Sequence, residues 1–532
     1  MAEKIIAKIV KKLAFSAGTP GVDFQSVLRK ASGENKVSLP TKSELTKVYH
    51  KLLKNKEIKP NKNLDLYLRR KAVRTMSGVA VVSVLTKPFM CPGNCLYCPT
   101  EKAMPKSYLS NEPAVMRAIA NDFDPFRQVE MRLKALKANN HDISKIEVIV
   151  MGGTWSYFDK KYQDWFIKRC FDALNNKPSK NLSDAQKKNE TAHSRCVGLT
   201  LETRPDYINE EEIKQMRKLG CTRVELGIQH IDDKVLALNK RGHTVEQSYR
   251  AIELLRRAGF KLNFHIMPAL YGSNVKKDLK VFQDLYTKPE WLPDMIKIYP
   301  CVVTINSELY KIWRAGKYKP YTNKQLLDLL TKVKKITPTY VRIARLIRDI
   351  PEQSILAGNK ITNLRQVLQN NAKRDGWACQ CIRCREAGHQ PPSLGSYGES
   401  KTSSETPVLN VLEMSSLGGT EYFISCDSPN KKVLYAFARL RINNPEVKQF
   451  MPELKGAAII RELHTYGEVA GVGQKGEVQH SGFGRKLMTE AERICREKGI
   501  KKLAVIAGIG VRAYYKKLGY KLKGTYMVKE LD

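Results

Sequence analysis

From Gly78 onward, short apolar segments alternate with amphipathic helical segments, and this alternation limits the possible fold more than any other feature of the chain. Six segments have the character of strands: residues 79–85, 146–151, 197–201, 224–228, 262–267 and 296–303. Helical patterns such as residues 210–219 and 245–258 lie between them. Strand–helix units that repeat in this way predict a parallel sheet. Six units predict an incomplete (β/α)6 barrel, whose functional groups should gather at the carboxyl ends of the strands.

Three cysteines follow the first predicted strand, in the sequence Cys91-Pro-Gly-Asn-Cys95-Leu-Tyr-Cys98. A four-iron cluster usually takes four cysteine ligands. Three thiolates on one Gly/Pro loop would therefore leave one iron open for a cofactor or substrate. The alternative is a structural zinc loop with a remote fourth ligand, which fits less well because zinc cysteines usually come as paired Cys-x2-Cys units.

The Cys-x3-Cys-x2-Cys spacing, with an aromatic residue before the third cysteine, resembles the signature of the radical S-adenosylmethionine superfamily. The resemblance implies a 4Fe–4S cluster on the three cysteines, with S-adenosylmethionine on the open iron. Thr154 stands where that superfamily often has Glu. The S-adenosylmethionine contacts implied are Tyr97 near the adenine, Gly152 and Gly153 at the methionine amino group, and Glu202 and Gln229 as less specific candidates. For Glu202 and Gln229 the alternative is a polar residue at a barrel rim.

Near the C-terminus a glycine-rich turn, Gln479-His-Ser-Gly482-Phe483-Gly484, precedes an amphipathic helix. Glycines at the start of a helix allow backbone N–H groups to approach a pyrophosphate. A nucleotide-binding P-loop is the alternative, but the turn lacks the Lys-Ser/Thr of that motif. With a second strand at 503–506 and the pair Tyr514-Tyr515, the segment resembles a GNAT acetyl-CoA domain. Gln479, Gly482, Phe483, Gly484, Tyr514 and Tyr515 are the implied acetyl-CoA contacts, although either tyrosine could instead fill the core.

A second cysteine cluster, Cys379-Gln-Cys381-Ile-Arg-Cys384, lies between the two predicted domains. Three thiolates at this spacing and one further ligand suit a closed tetrahedral zinc site. His389 is the nearest candidate for the fourth ligand, and a remote Cys or His is the alternative. A second iron–sulfur cluster is a further alternative. We expect a structural zinc ion that stabilises the linker.

The chain has 92 Lys and Arg against 53 Asp and Glu, a formal net charge of +39. Such an excess favours a polyanionic partner. A membrane surface or a merely lysine-rich proteome is the alternative, and we favour nucleic acid because the other motifs of the chain imply chemistry on RNA. No segment is apolar enough to span a bilayer. Residues 1–74 alone carry 18 basic and 6 acidic side chains in helical patterns. We therefore expect a small basic helical region that binds RNA phosphates. Arg342, Arg345 and Arg348 recur every third residue, which predicts one face of a helix that contacts RNA or, alternatively, forms surface salt bridges.

Taken together, the two catalytic motifs and several shorter stretches resemble the catalytic subunit of Elongator over nearly the whole chain. These stretches are residues 108–118, 151–154, 201–206, 241–244, 348–351 and 461–464, together with the turn at 479–484. The Cys-x3-Cys spacing is that of prokaryotic members, and Pro99-Thr100 departs from the Pro-Gly-Gly of many relatives.

The resemblance implies a tRNA uridine C5-carboxymethyltransferase, a radical enzyme of the acyltransferase class. A deoxyadenosyl radical would take hydrogen from the acetyl methyl group, the carbon radical would add to C5 of the wobble uridine, and thioester hydrolysis would follow. Cys91, Cys95, Cys98, Tyr514 and Tyr515 are the catalytic candidates. The implied partners are the tRNA anticodon stem-loop and an electron donor, in the cytoplasm, with accessory subunits undetermined. Because both cofactors must meet one base, we expect the cysteine-bearing mouth of the barrel to face the acetyl-CoA site.

The predicted organisation is α/β and multidomain: a basic helical region at 1–74, a partial barrel at 75–318, a helical linker with the second cysteine cluster at 319–407, and a GNAT domain at 408–532. Two other functions remain open. A protein lysine acetyltransferase would not depend on the first three cysteines, and an RNA-binding scaffold with vestigial sites would bind no iron. A different radical enzyme, such as a methylthiotransferase, would not need the acetyl-CoA module.

Overall fold

The computed structural model describes residues 2–19, 21–69, 75, 77–389, 406–466 and 482–532. The N-terminal region consists of four helices: α1 (Ala2–Ser16), α2 (Phe24–Glu34), α3 (Lys42–Lys54) and α4 (Lys62–Leu68). Leu13, Phe24, Leu45 and Tyr49 belong to a small core of their own. A capping box between Thr41 and Glu44 fixes the start of α3, since it satisfies backbone donors that a helix end leaves free. The charged side chains remain on the outside, as the basic composition predicts.

Seven parallel strands form the central sheet, in the order in which they occur along the chain. They are β1 (Ala80–Leu85), β2 (Lys145–Met151), β3 (Arg195–Thr203), β4 (Arg223–Gln229), β5 (Lys261–Ile266), β6 (Met295–Ile298) and β7 (Arg342–Arg345). No pairing joins β1 to β7 in the described part of the chain, so the barrel is open on that side. The prediction of an incomplete barrel is confirmed, with one strand more than the sequence indicated.

Helices cover the outer face of this sheet. They are α5 (Pro113–Ile119), α6 (Pro125–Ala138), α7 (Lys160–Asn175), α8 (Leu182–Asn189), α9 (Glu210–Lys218), α10 (Asp233–Leu238), α11 (Val245–Arg257), α12 (Val275–Thr287), α13 (Leu309–Arg314), α14 (Asn323–Ile336), α15 (Leu364–Arg374) and α16 (Ile382–Arg385). The apolar residues of most of them pack with those of the strands in one large core, whereas those of α5, α10 and α13 belong to two smaller clusters. Among the described residues, no helix is long and apolar enough to cross a membrane.

The seventh strand lies in the segment that we expected to be a helical linker. Arg342 and Arg345 belong to β7 and Arg348 to the loop after it, so the prediction of one helical arginine face is wrong. Ile343 is buried between the less buried Arg342 and Ala344, an alternation typical of a strand. Pairing with β6 decides the structure here, because a period of three over seven residues is too short to establish a helix. The sheet therefore extends past residue 318.

The C-terminal domain has a second seven-stranded sheet, in the order β13-β14-β12-β11-β10-β9-β8. Its elements are β8 (Val408–Ser416), β9 (Gly419–Asp427), β10 (Leu434–Asn443), β11 (Ala458–Thr465), α17 (Phe483–Glu497), β12 (Lys502–Val505), α18 (Arg512–Lys516), β13 (Lys521–Lys523) and β14 (Tyr526–Glu530). β11 and β12 pair in parallel, whereas the other pairs are antiparallel. Leu487, Ala491 and Cys495 bury one face of α17 against the sheet.

The C-terminal domain packs against the amino ends of the barrel strands. Nε2 of His464 lies 2.8 Å from the carbonyl oxygen of Ser77, just before β1. Arg461 binds the Asp294 carboxylate before β6 with N–O distances of 3.0 and 2.5 Å. The cysteine loop, by contrast, follows the carboxyl end of β1. The expectation that the cysteine-bearing mouth faces the acetyl-CoA domain is therefore wrong: the two lie at opposite ends of the barrel.

Candidate active site

The first cysteine loop folds over the carboxyl end of the barrel. The backbone N–H of Gly93 donates to Cys91 Sγ over 3.4 Å, and Cys91 Sγ lies 3.6 Å from Thr154 Oγ1. A hydrogen bond from Cys98, with the nearby charges of Arg241 and Arg204, lowers the pKa of Cys95 to about 5. The same pairing with Cys95, together with burial, raises the pKa of Cys98. Thiolate character is what a metal ligand requires, so this loop fits an iron–sulfur cluster.

The predicted S-adenosylmethionine residues surround this loop. Gly152 and Gly153 have φ values of +126° and +90°, and a Cβ on Gly152 would lie 2.0 Å from Thr86 Oγ1. Only glycine is accommodated there, because the left-handed backbone and the close contact both exclude a side chain. Gln229 also has positive φ, and its buried Oε1 lacks a hydrogen-bond partner among the described residues. Such an orphaned acceptor fits a site for a polar ligand.

Charged side chains that the sequence analysis missed line the barrel interior. Glu225 is fully buried and accepts hydrogen bonds from Asn263 over 3.0 Å and His265 over 2.9 Å, and it also pairs with Lys297. Burial alone would raise the pKa of Glu225, but Lys297 and His265 hold it well below its usual value. Nδ1 of His265 lies 3.4 Å from Glu202, whose carboxylate accepts from Tyr108. In the sequence, the only indication of this cluster is that charged or polar residues alternate with apolar ones within these strands.

The acetyl-CoA candidates lie where the second sheet meets α17. Gly482 caps this helix with φ +85°, and a Cβ on Gly484 would lie 2.7 Å from the Tyr514 hydroxyl. Phe483 stacks on Tyr435, with ring centroids 6.0 Å apart. Tyr515 is buried in the domain core, whereas Tyr514 is only partly buried. The core-filling alternative therefore fits Tyr515, and Tyr514 is the better candidate for ligand contact. Gln479 lies outside the described residues.

One cavity of about 1590 Å³ joins the two ends of the barrel. At the carboxyl end it is lined by Cys91, Cys95 and Cys98, and at the other end by His464, Gly484 and Tyr514. Glu225, His265 and Lys297 line its middle section. A strand rises about 3.3 Å per residue, so the six steps from Lys261 to Met267 place the two ends about 20 Å apart. The cavity is thus long enough to hold an extended ligand between the two sites.

Arg342, Arg345 and Arg348 also line the cavity, but each has an acidic partner. Arg342 pairs with Glu386 and donates to the Tyr466 hydroxyl over 2.9 Å. Arg345 binds Asp349 over 2.6 Å, and Arg348 lies 3.6 Å from Glu112. The salt-bridge alternative therefore accounts for these contacts, and RNA binding by the three arginines stays a prediction.

In the second cysteine cluster, the Sγ atoms of Cys379, Cys381 and Cys384 lie within 4.8 Å of one another. Hydrogen bonds from the other two cysteines lower the pKa of Cys381 well below its usual value. The side chain of His389, the candidate fourth ligand, lies outside the described residues. Arg385, one residue after the cluster, binds Asp427 of the second sheet over 2.6 Å and the Thr339 carbonyl over 2.8 Å. The cluster thus lies where the linker contacts both domains, and its donor set fits a zinc ion.

Comparisons with known proteins agree with these two sites. The radical SAM superfamily matches residues 88–285, the Radical_SAM C-terminal domain matches 293–374, and the acetyltransferase (GNAT) family matches 416–520. Fold and sites together define a radical S-adenosylmethionine protein joined to a GNAT domain.

Longer matches identify the family. The tRNA uridine(34) acetyltransferase of Methanocaldococcus infernus is 44% identical over 510 residues, which cover 92% of this chain and 94% of that protein. Human Elongator complex protein 3 is 38% identical, over 87% of this chain and 86% of its own length. A solved structure, the M. infernus Elp3 with an N-terminal deletion, has a TM-score of 0.74 at 42% identity and covers 86% of this chain and all of that one. The chain belongs to the tRNA uridine(34) acetyltransferase family, which includes Elongator complex protein 3.

Proposed function

We propose that this protein installs a carboxymethyl group at C5 of the wobble uridine of tRNA, with acetyl-CoA as the carbon donor. The observation that carries the proposal is the single cavity that reaches both the three cysteines and the start of α17. A simple acetyltransferase would not need a path into the barrel, and a scaffold would not need thiolate character at Cys95. The family to which the chain belongs supports tRNA uridine 34 as the substrate.

The cysteine loop and the glycines after β2 would hold a 4Fe–4S cluster and S-adenosylmethionine, which together supply one-electron chemistry that removes hydrogen from an unactivated carbon. Gly152, Gly153 and the orphaned Gln229 Oε1 would position the cofactor at the carboxyl end of the barrel. At the other end, the N-terminus of α17 would bind the pyrophosphate of acetyl-CoA. The barrel wall would exclude water from the reacting carbon.

One hydrogen atom of the acetyl methyl group would end in 5′-deoxyadenosine, the product of S-adenosylmethionine, and a new carbon–carbon bond would replace the C5–H bond of uridine. The proton from C5 and one electron leave, which recovers the electron that started the reaction. Water then splits the thioester into coenzyme A and the carboxylate.

His464 is suited to accept the proton of that water. Burial lowers the pKa of His464, so the imidazole is neutral near pH 7. Nε2 lies 2.8 Å from the carbonyl oxygen of Ser77 and therefore carries the hydrogen. Nδ1 is then the acceptor nitrogen. Because His464 lines the cavity that also reaches Gly484 and Tyr514, we assign it the role of general base in thioester hydrolysis.

We further propose that Cys379, Cys381 and Cys384 hold a structural zinc ion and that the N-terminal helices bind the tRNA. Zinc content by mass spectrometry should fall in Cys381→Ser relative to Cys426→Ser, which alters a buried cysteine outside the cluster.

The test uses anaerobically reconstituted protein with S-adenosylmethionine, trideuteroacetyl-CoA, a reductant and unmodified tRNA. We expect carboxymethyluridine at position 34 and deuterium in the 5′-deoxyadenosine, both detected by mass spectrometry. A transcript with cytidine at position 34 is the substrate control. Deoxyadenosine without deuterium would contradict the acetyl group as hydrogen donor, and acetylated uridine without a new carbon–carbon bond would favour a simple acetyltransferase.

A matched pair of variants tests the cavity. Gly198 on β3 lines it and has only ordinary contacts, at 3.7 Å or more, around the position of a Cβ. Gly198→Ala should retain activity, whereas Gly198→Phe should fill the cavity and abolish uridine modification. Acetyl-CoA binding should survive in both. Full activity of Gly198→Phe would show that the acetyl group does not pass along this cavity.

A further inference from the structure

Two arginines lie beside the first cysteine loop, in sequence stretches to which the proposed chemistry assigns no role. Arg204 follows β3 in the stretch at 201–206, and Arg241 belongs to the stretch at 241–244. Both side chains are buried, with 5% and 6% of their surface exposed. Burying a charged side chain costs free energy unless an acceptor or an opposite charge contacts it. The contacts of these two guanidinium groups therefore indicate their function.

Arg241 contacts the cysteine loop directly. Its Nη1 donates to Cys95 Sγ over 3.6 Å, and its Nη2 donates to the Gly227 carbonyl over 2.7 Å. Nε has no hydrogen-bond partner in the described part of the chain. No carboxylate pairs with this guanidinium among the described residues, and the side-chain acceptor that it contacts is Cys95 Sγ.

Arg204 approaches the loop from the other side. Its Nε and Nη2 donate to Asp206 over 2.9 and 2.7 Å, whereas the buried Nη1 lacks a partner among the described residues. A Cβ on Gly93 would lie 2.1 Å from this Nη1. The free N–H therefore lies against the backbone between Cys91 and Cys95, and the Arg204–Asp206 pair acts as a dipole with its positive end at the loop.

We propose that Arg241 and Arg204 raise the reduction potential of the iron–sulfur cluster bound by Cys91, Cys95 and Cys98. The proposal rests on the cluster assignment above. Reduction adds one negative charge to the cluster, so a nearby cation stabilises the reduced form more than the oxidised form. Hydrogen bonds to cluster sulfurs and the local net charge are known determinants of such potentials. The effect of Arg241 should be the larger, because Asp206 partly cancels the field of Arg204.

The test is an anaerobic redox titration, followed by electron paramagnetic resonance of the reduced cluster in the full-length protein. Arg241→Gln should lower the equilibrium constant for reduction of the cluster at least tenfold. For one electron this makes the midpoint potential more negative by about 59 mV or more. Arg204→Gln should shift it in the same direction by less. Arg241→Lys, which keeps the charge, should lie close to wild type.

Two further variants separate this role from a structural one. Gly93→Ala changes no charge, but it should displace Nη1 of Arg204 and shift the potential in the same direction as Arg204→Gln. Lys240→Gln removes a neighbouring charge whose side chain is 54% exposed, and it should have no effect. If Arg241→Gln fails to bind iron, the midpoint potentials of Arg204→Gln and Gly93→Ala test whether the arginines raise the reduction potential.

Iron and sulfide analysis comes first, because it separates two kinds of failure. Wild-type protein that binds no cluster would overturn the proposed function. Variants with a full cluster and midpoint potentials equal to that of Lys240→Gln would overturn only the role of the arginines.

Discussion

His464 illustrates how a single hydrogen bond selects the chemistry of a side chain. The Ser77 carbonyl holds the hydrogen on Nε2, and burial keeps the ring neutral. A lowered histidine pKa means that the ring is charged only at a pH below the usual value of about 6.5. The acidic limb of thioester hydrolysis should therefore lie below pH 6.5.

His464→Gln is the matching variant, because the glutamine amide can still donate to Ser77 but has no basic nitrogen. We expect hydrolysis to fall by about 10²-fold, a typical contribution of a general base. The tRNA should then accumulate a uridine adduct that still carries coenzyme A, which mass spectrometry would detect. A wild-type rate of carboxymethyl release would rule out His464 as the base.

Individual residues also show what the sequence alone could not reveal. The cysteine spacing and the glycine turns were readable because each requires a particular residue type at a particular position. The sequence did not predict the cluster of Glu225, His265 and Lys297. The contacts between these side chains depend on the register between β4, β5 and β6, which local sequence does not specify. Asp294 and Arg461, separated by 167 positions, form an ion pair only after both domains have folded.

At the scale of elements, the first five strands of the barrel were predicted to within two residues at each end, the sixth was predicted five residues too long, and β7 was missed. Long apolar runs identify a buried parallel strand, whereas β7 has only four residues and two of them are arginines. Its sheet position comes from tertiary pairing, which local sequence does not contain. The arginines therefore lie in two partly buried ion pairs, those of Arg342 and Arg348, and one exposed pair, that of Arg345, instead of on the predicted helical surface.

We predict that exposed lysines of helix α3 bind tRNA phosphates. Lys47 and Lys54 are exposed on it and have no ion-pair partner in the described part of the chain. Each phosphate contact contributes about 0.7–0.9 to the slope of log affinity against log salt. Changing both to Gln should therefore reduce the slope for tRNA by about 1.5, measured by fluorescence anisotropy.

The matched control changes Lys455 and Lys521, which are exposed on the C-terminal domain. This double variant removes the same charge from a surface that is not proposed to bind tRNA. Equal slopes for the two double variants would place the RNA contacts away from α3.

At the scale of the whole molecule, a buried charge cluster joins the two domains. Asp294 of the barrel pairs with Arg461 and Arg439 of the second sheet, and Arg461 also binds Glu421 over 2.9 Å. Burial alone would raise the pKa of Asp294, but the two arginines outweigh it and lower the pKa below its usual value. The carboxylate therefore stabilises the fold above about pH 4, its pKa in the unfolded chain. That contribution is lost as the pH falls through the lower, folded-state pKa.

Asp294→Asn should destabilise the protein by about 3 kcal/mol at pH 7, because it removes one of the two carboxylates that each of the buried Arg439 and Arg461 pairs with. The difference from wild type should narrow below pH 4, as measured by urea unfolding between pH 7 and pH 3. Asp375→Asn, which removes an exposed pair with Arg374, is the control and should change little. A constant difference across this pH range would contradict the ionic role of Asp294.

The position of the C-terminal domain has a consequence for how the protein can be built. In most parallel barrels the amino end serves stability, but here a second domain covers that end and carries the proposed acetyl-CoA site. Neither half would be complete if it were made alone. The amino end of the barrel would be open to water, and Arg439 and Arg461 would each lose Asp294, one of their two carboxylate partners. For the proposed reaction the two domains would therefore have to stay in contact throughout turnover, because only their interface closes the amino end of the cavity.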